Sequence, residues 1–177
     1  MAMSVDEIGA MLVRDEALIA DCNKFVQAVA GRVAIEFAIK KVDFGRAFLG
    51  KSDAIVSRFT HAPFISIAKD KDRATKLANE GQLVLGGLTL PDMLRYEPKK
   101  KPKPTMGHIV VIAPGGPSHY IAPHPGFPGA RGGYPYCYQG AHISQYRFKS
   151  RTQVDIVFPR NSLPFIDYAY IDINEQR

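Results

Sequence analysis

Two residues in this chain have the types and settings that nucleophilic chemistry needs. Cys22 lies in Ala20-Asp21-Cys22-Asn23-Lys24-Phe25-Val26-Gln27-Ala28-Val29-Ala30. Asp21 is a good helix N-cap, and Phe25, Val26, Val29 and Val33 recur at helical spacing, so a helix is expected to begin here. Cys22 then falls in the first turn, where unpaired N–H groups and the positive end of the helix dipole favour thiolate. Lys24 adds positive charge, and the flanking residues are polar. His108 opens Gly107-His108-Ile109-Val110-Val111-Ile112, a β-branched run that reads as a strand with an imidazole at its mouth. A thiolate on a helix terminus facing an imidazole on a strand is a nucleophile–base pair. Such a pair acquires a third group that accepts a hydrogen bond from the other ring nitrogen. His119, Gln139 and His142 are the downstream candidates. Gln139, on a strand expected beside His108, is the best placed of them. The backbone N–H of Cys22 supplies one oxyanion donor.

Other chemistries find less support. The five histidines (61, 108, 119, 124 and 142) and two cysteines form no closely spaced ligand pair, so neither a metal nor a cofactor is expected. Gly115-Gly116 is followed by no Gly-Lys-Ser/Thr and makes no phosphate loop. Cys22 and Cys137 are too few for a disulfide-built scaffold, and a bridge between them would disarm the nucleophile.

The elements that must position this pair follow from patterning. Val5 to Ile19 reads as one helix and Asp21 to between Val33 and Ile39 as a second. Ser52 is placed to cap a short helix reaching Phe59, and Lys69 to Glu80 reads as a helix closed by Gly81. Strands are expected at Gln82–Leu88, His108–Ala113, Tyr136–Ile143, Thr152–Phe158 and Phe165–Ile173, with His119–Ile121 as a possible further one. Residues 91–106 and 114–133 are rich in proline and glycine or lysine and read as loops. Helices first and an antiparallel sheet second is the α+β pattern. With 177 residues and 46% hydrophobic content, residues 1–177 are expected to form a single catalytic domain.

The formal net charge of +6 and pI near 9.3 imply acidic partners, such as nucleic acid, anionic lipid or a carboxylate-rich polymer like bacterial cell wall. Part of that charge sits in Lys99-Lys100-Lys101-Pro102-Lys103, which otherwise reads as a solvated, proline-stiffened loop. No apolar run reaches a membrane span of about 18 residues, so membrane insertion is not expected. The charged stretch from Asp6 to Glu16 fits no secretory leader, and synthesis in the cytoplasm without a signal peptide is the expectation.

At this point the chain resembles a family. Residues 21–30 resemble the catalytic helix of the NlpC-type, papain-like peptidoglycan amidases, and most closely that of the type VI secretion amidase effectors, whose motif is similar to Asn-Cys-Ser-Gly-Phe-Val-Gln-x-Val-Ala. Three further stretches agree in order. Glu80–Leu88 resembles the strand before the histidine, Gly107–Ile112 resembles Gly-His-Val-Ala-Val-Val, and Tyr134–Gly140 resembles a Tyr-Pro-x-Cys-x-x-Gly segment near the third catalytic position. The resemblance spans residues 20 to 143, with about a quarter of those positions identical. Asn23-Lys24 replace the usual Ser-Gly, and both the insert from Pro98 through Lys103 and the Pro114–Gly133 loop lack a counterpart. The resemblance implies a papain-like cysteine hydrolase with helices packed on an antiparallel sheet. It further implies Cys22, His108 and Gln139 as the catalytic set, no cofactor, and cleavage of an amide in the peptidoglycan peptide stem, between D-glutamate and diaminopimelate. It also implies secretion into the periplasm of a target bacterium as an antibacterial toxin, and a periplasmic immunity protein as partner. A cysteine acyltransferase or protease with the same pair, and a non-enzymatic basic polymer-binding module, are the competing readings. The aromatic–basic interleaving of nucleic-acid modules is missing, so no nucleic-acid partner is expected.

Overall fold

A computed structural model describes residues 2–99, 103–116 and 133–176. The N-terminal half is helical: α1 (Val5–Leu12), α2 (Glu16–Ile19), α3 (Cys22–Glu36), α4 (Phe44–Ala47) and α5 (Ser52–Val56). Then come β1 (Ile65–Ala68), α6 (Lys71–Asn79), β2 (Leu83–Leu88), α7 (Leu90–Tyr96) and β3 (His108–Ala113). The chain closes with β4 (Tyr136–Tyr138), β5 (Thr152–Gln153), α8 (Val154–Val157) and β6 (Asp167–Ile171). The six strands form one sheet in the order β1-β6-β2-β3-β4-β5, with every neighbouring pair antiparallel. This mixture of helices and antiparallel sheet is the α+β class.

Strands β2 and β3 are buried on both faces, which explains their continuous apolar runs. One face carries Leu83, Leu85, Ile109 and Val111 and packs on Phe25, Val26, Val29 and Val33 of α3. The other carries Val84, Val110 and Ile112 and packs on Ala74 and Ala78 of α6 and Val154 of α8. The sheet therefore lies between two helical layers, and α3 is the central helix of the first. Among the described residues no helix is long and apolar enough to cross a membrane.

Several expected elements change shape. The helix foreseen over Val5–Ile19 is broken into α1 and α2, because Asp15 leaves the helix to cap the next one, accepting from the N–H groups of Ala17 and Leu18. Residues 91–106 are not all loop: Thr89 caps α7, with Pro91 in its first turn. The strand foreseen over Tyr136–Ile143 ends at Tyr138, since the following residues turn to pack on α3. The strand over Thr152–Phe158 keeps two residues before α8 begins. Strand β1 and helix α4 were outside the expectation, β1 being short and largely exposed. His119–Ile121 and most of the 114–133 loop lie outside the described residues, as do Lys100 and Lys101 of the basic run.

Candidate active site

Helix α3 starts where its cap dictates. The Asp21 carboxylate accepts from the N–H groups of Asn23 at 2.7 Å and Lys24 at 3.1 Å, making Cys22 the first helical residue. His108 opens β3, opposite Leu88 of β2. Gly107, immediately before it, packs so closely on the Leu88–Leu90 backbone that a Cβ would collide with the Leu88 carbonyl. Asp53 on α5 ties this corner together, accepting from the N–H groups of both Leu90 and Gly107. The third candidate follows β4. Ala141 N–H donates to the Ile19 carbonyl at 2.8 Å, pulling the chain after Gln139 onto the start of α3.

Gly140 makes that approach possible. A Cβ there would sit 2.5 Å from the Asp21 carbonyl oxygen, 2.8 Å from its carbon and 3.1 Å from the Cys22 nitrogen. The segment carrying Gln139 thus lies directly against the peptide bond that leads into Cys22. Cys22, His108 and Gln139 all line one cleft of about 660 Å³. Its remaining wall includes Met93, the segment from Lys103 to Gly107, His142 and the stretch from Ile156 to Pro159.

The imidazole is held from two sides. His108 Nε2 lies 2.6 Å from Gln139 Oε1, and its ring meets the Phe158 ring edge-on at a centroid distance of 5.0 Å. Gln139 is 1% exposed, and its amide nitrogen donates to the Tyr146 carbonyl at 2.7 Å. That bond fixes which end of the amide faces the ring. A carbonyl can only accept, so the Gln139 NH₂ must point at Tyr146 and its oxygen at His108. His108 then carries its proton on Nε2, and in the neutral ring Nδ1 is the basic nitrogen.

The thiol differs from its expected state. Burial first, and the Asp21 carboxylate second, push the Cys22 thiol up to about 11. The Ile109 N–H and the Ser52 hydroxyl pull the other way without prevailing. Cys22 is 1% exposed, so its polar neighbours Asp21 and Asn23 surround a buried sulfur, not a solvated one. Lys24 is exposed, and the cap that builds the helix mouth places a negative charge beside the sulfur. The resting thiol is therefore protonated, and Sγ lies 3.8 Å from Asn23 Oδ1 as its acceptor.

Both cysteines are free. Cys22 belongs to the core on the α3 face and Cys137 to the core on the opposite face, so the sheet itself separates them. Of the other candidates, His142 lines the cleft with Nε2 3.5 Å from the Asp21 carboxylate, away from the His108–Gln139 bond. His119 lies outside the described residues, as does His124. His61 is exposed beside Thr60.

No protein-family model matches this chain, and no curated protein matches it in sequence. The assignment of the cleft thus stands on its own geometry. Sequence reading missed Asp53, Ser52, Tyr146 and Gly140. Ser52 does not cap α5. It is the first helical residue, 0% exposed, and its buried hydroxyl is one of the groups acting on the Cys22 thiol. A Gly one residue past the candidate orienting Gln was the available signal for close approach at 140.

Several acids share the fate of the thiol, which makes stability depend on alkaline pH. Burial raises Cys22, Cys137, Tyr138 and Tyr168. The folded chain then keeps protons that the unfolded chain releases, so stability is complete below the unfolded pKa and falls as pH rises towards the folded one. For Cys22 the window runs from 9.0 to about 11. Denaturant unfolding should show well over about 2 kcal/mol lost between about pH 8 and about pH 10.5, since Cys22 alone contributes about 2. Cys22→Ala should remove close to 2 kcal/mol of that slope. A flat profile over this range would contradict the burial of these groups.

Proposed function

We propose that this chain is a cysteine amidase of papain-like fold that cuts the peptide stem of bacterial peptidoglycan, at the bond between D-glutamate and diaminopimelate. The observation that carries the reading is the Cys22, His108 and Gln139 set on one cleft, with the imidazole tautomer fixed through Gln139 and Tyr146. The helix-borne cysteine and strand-borne histidine also suit a papain-like arrangement.

Because the thiol starts protonated, His108 acts as a general base during attack rather than pairing with a standing thiolate. Sγ bonds to the amide carbonyl carbon while Nδ1 takes the thiol proton. The Cys22 N–H at the start of α3 is the oxyanion donor on this chain's side. The C–N bond breaks as the imidazolium returns that proton to the leaving amine. Water then adds to the thioester, His108 again taking a proton, and the acid and the free thiol are released. Gln139 keeps the ring turned so that Nδ1 does this work throughout.

A secreted antibacterial toxin, delivered to a target periplasm and held in check by an immunity protein over the cleft, is the biological role that goes with this reading. The test is digestion of purified peptidoglycan followed by mass spectrometry. Hydrolysis leaves free carboxylate and amine ends between D-glutamate and diaminopimelate. Amine adducts in place of carboxylates would make the protein an acyltransferase. Undegraded wall with salt-sensitive binding would make it a polymer-binding module.

A further inference from the structure

The cleft has a one-sided charge. Among its described lining residues there is no Asp or Glu, while Lys103 and His142 border it beside His108. These two cation-capable residues differ in their company. His142 Nε2 has the Asp21 carboxylate at 3.5 Å, whereas Lys103 has no ion-pair partner among the described residues. Lys103 is exposed, on the segment that leads into Gly107 and His108. Met93, Pro104 and Met106 line the same cleft. An ammonium bordering a cleft attracts an anion bound inside it. Lys103 lines the same cleft as Cys22 and His108, so an anion bound beside the reacting amide shares that cleft with its ammonium.

We propose that Lys103 selects substrates bearing a carboxylate next to the scissile amide, and so acts as a specificity residue of this cleft. This rests on the amidase reading above. It gives a role to one residue of the basic Lys99–Lys103 run, which net charge alone would assign to solubility.

Two synthetic stem peptides test it, identical except that the D-glutamate α-carboxyl is free in one and a carboxamide in the other. The quantity read is the ratio of kcat/KM for the acid to that for the amide. The wild-type ratio should be about two- to fivefold in favour of the acid, the size of one exposed charge pair. Lys103→Arg should keep the preference, and Lys103→Glu should bring the ratio to one or below. A ratio unchanged in Lys103→Glu, or a wild type that cuts both peptides equally, overturns the inference and leaves the amidase reading intact. A wild type that cuts neither peptide ends that reading, and this inference with it.

Discussion

Under the proposed amidase reading, Cys22→Ala should abolish release of stem fragments from peptidoglycan and leave the protein folded. The expected loss in kcat/KM is at least about 10⁴-fold, because without the sulfur no covalent intermediate forms and the imidazole has no nucleophile to activate. The structural cost is small. The side chain loses one sulfur from a tightly packed site, and the helix start depends on Asp21, whose bonds to the Asn23 and Lys24 amides do not involve Cys22. A stability change of about 1 kcal/mol is expected. Residual hydrolysis near the wild-type rate, with cooperative unfolding intact, would remove Cys22 from the mechanism. The pH dependence sharpens the test. A thiol pushed up to about 11 should alkylate with iodoacetamide slowly at neutral pH in the free protein, and faster as pH rises towards that value. Rapid alkylation at neutral pH would instead indicate a standing thiolate.

Gly140→Ala should harm both stability and turnover through a single methyl group. The added carbon would meet the Asp21 carbonyl oxygen at 2.5 Å and the Cys22 nitrogen at 3.1 Å, both backbone atoms that cannot rotate away. Relief requires the β4 extension to lift off the start of α3. That weakens the Ala141 bond to the Ile19 carbonyl and carries Gln139 away from His108. A destabilisation of about 1–3 kcal/mol is expected from overpacking. Turnover should fall by about 10- to 100-fold even in conditions where the variant is fully folded, since a small misplacement of the base is costly. Thermal unfolding read beside kcat distinguishes the two effects. A variant as stable and as active as wild type would mean that the chain after β4 does not set the site.

Residues whose signals are local were the legible ones. Asp21 followed by apolar residues at helical spacing placed the start of α3, and the β-branched run placed β3. From these two elements alone, Cys22 and His108 were expected to meet, and both line the same cleft. Gln139 was legible because a strand beside β3 was expected there, and its bond to His108 is present. What escaped depends on packing between distant segments. The β6 strand inserts between β1 and β2, a neighbour order that no periodicity encodes. Helix α7 hid inside a segment read by composition, although Thr89 followed by Pro91 and Asp92 is a start signal. The ionisation of Cys22 was misjudged for the same reason. The helix dipole is visible in sequence, but the burial that outweighs it comes from the core that distant segments build around the start of α3. Asp53 was invisible as a clamp because its partners are backbone amides at Leu90 and Gly107.

The separation of the two thiols by the sheet makes the protein a convenient target for covalent probes. An electrophile entering the cleft would meet Cys22 there, while Cys137, 0% exposed on the far side of the sheet, stays out of reach until the fold opens. Intact-mass counting of adducts therefore reports cleft occupancy as one tag and global opening as two, from the same native molecule and with no engineered cysteine.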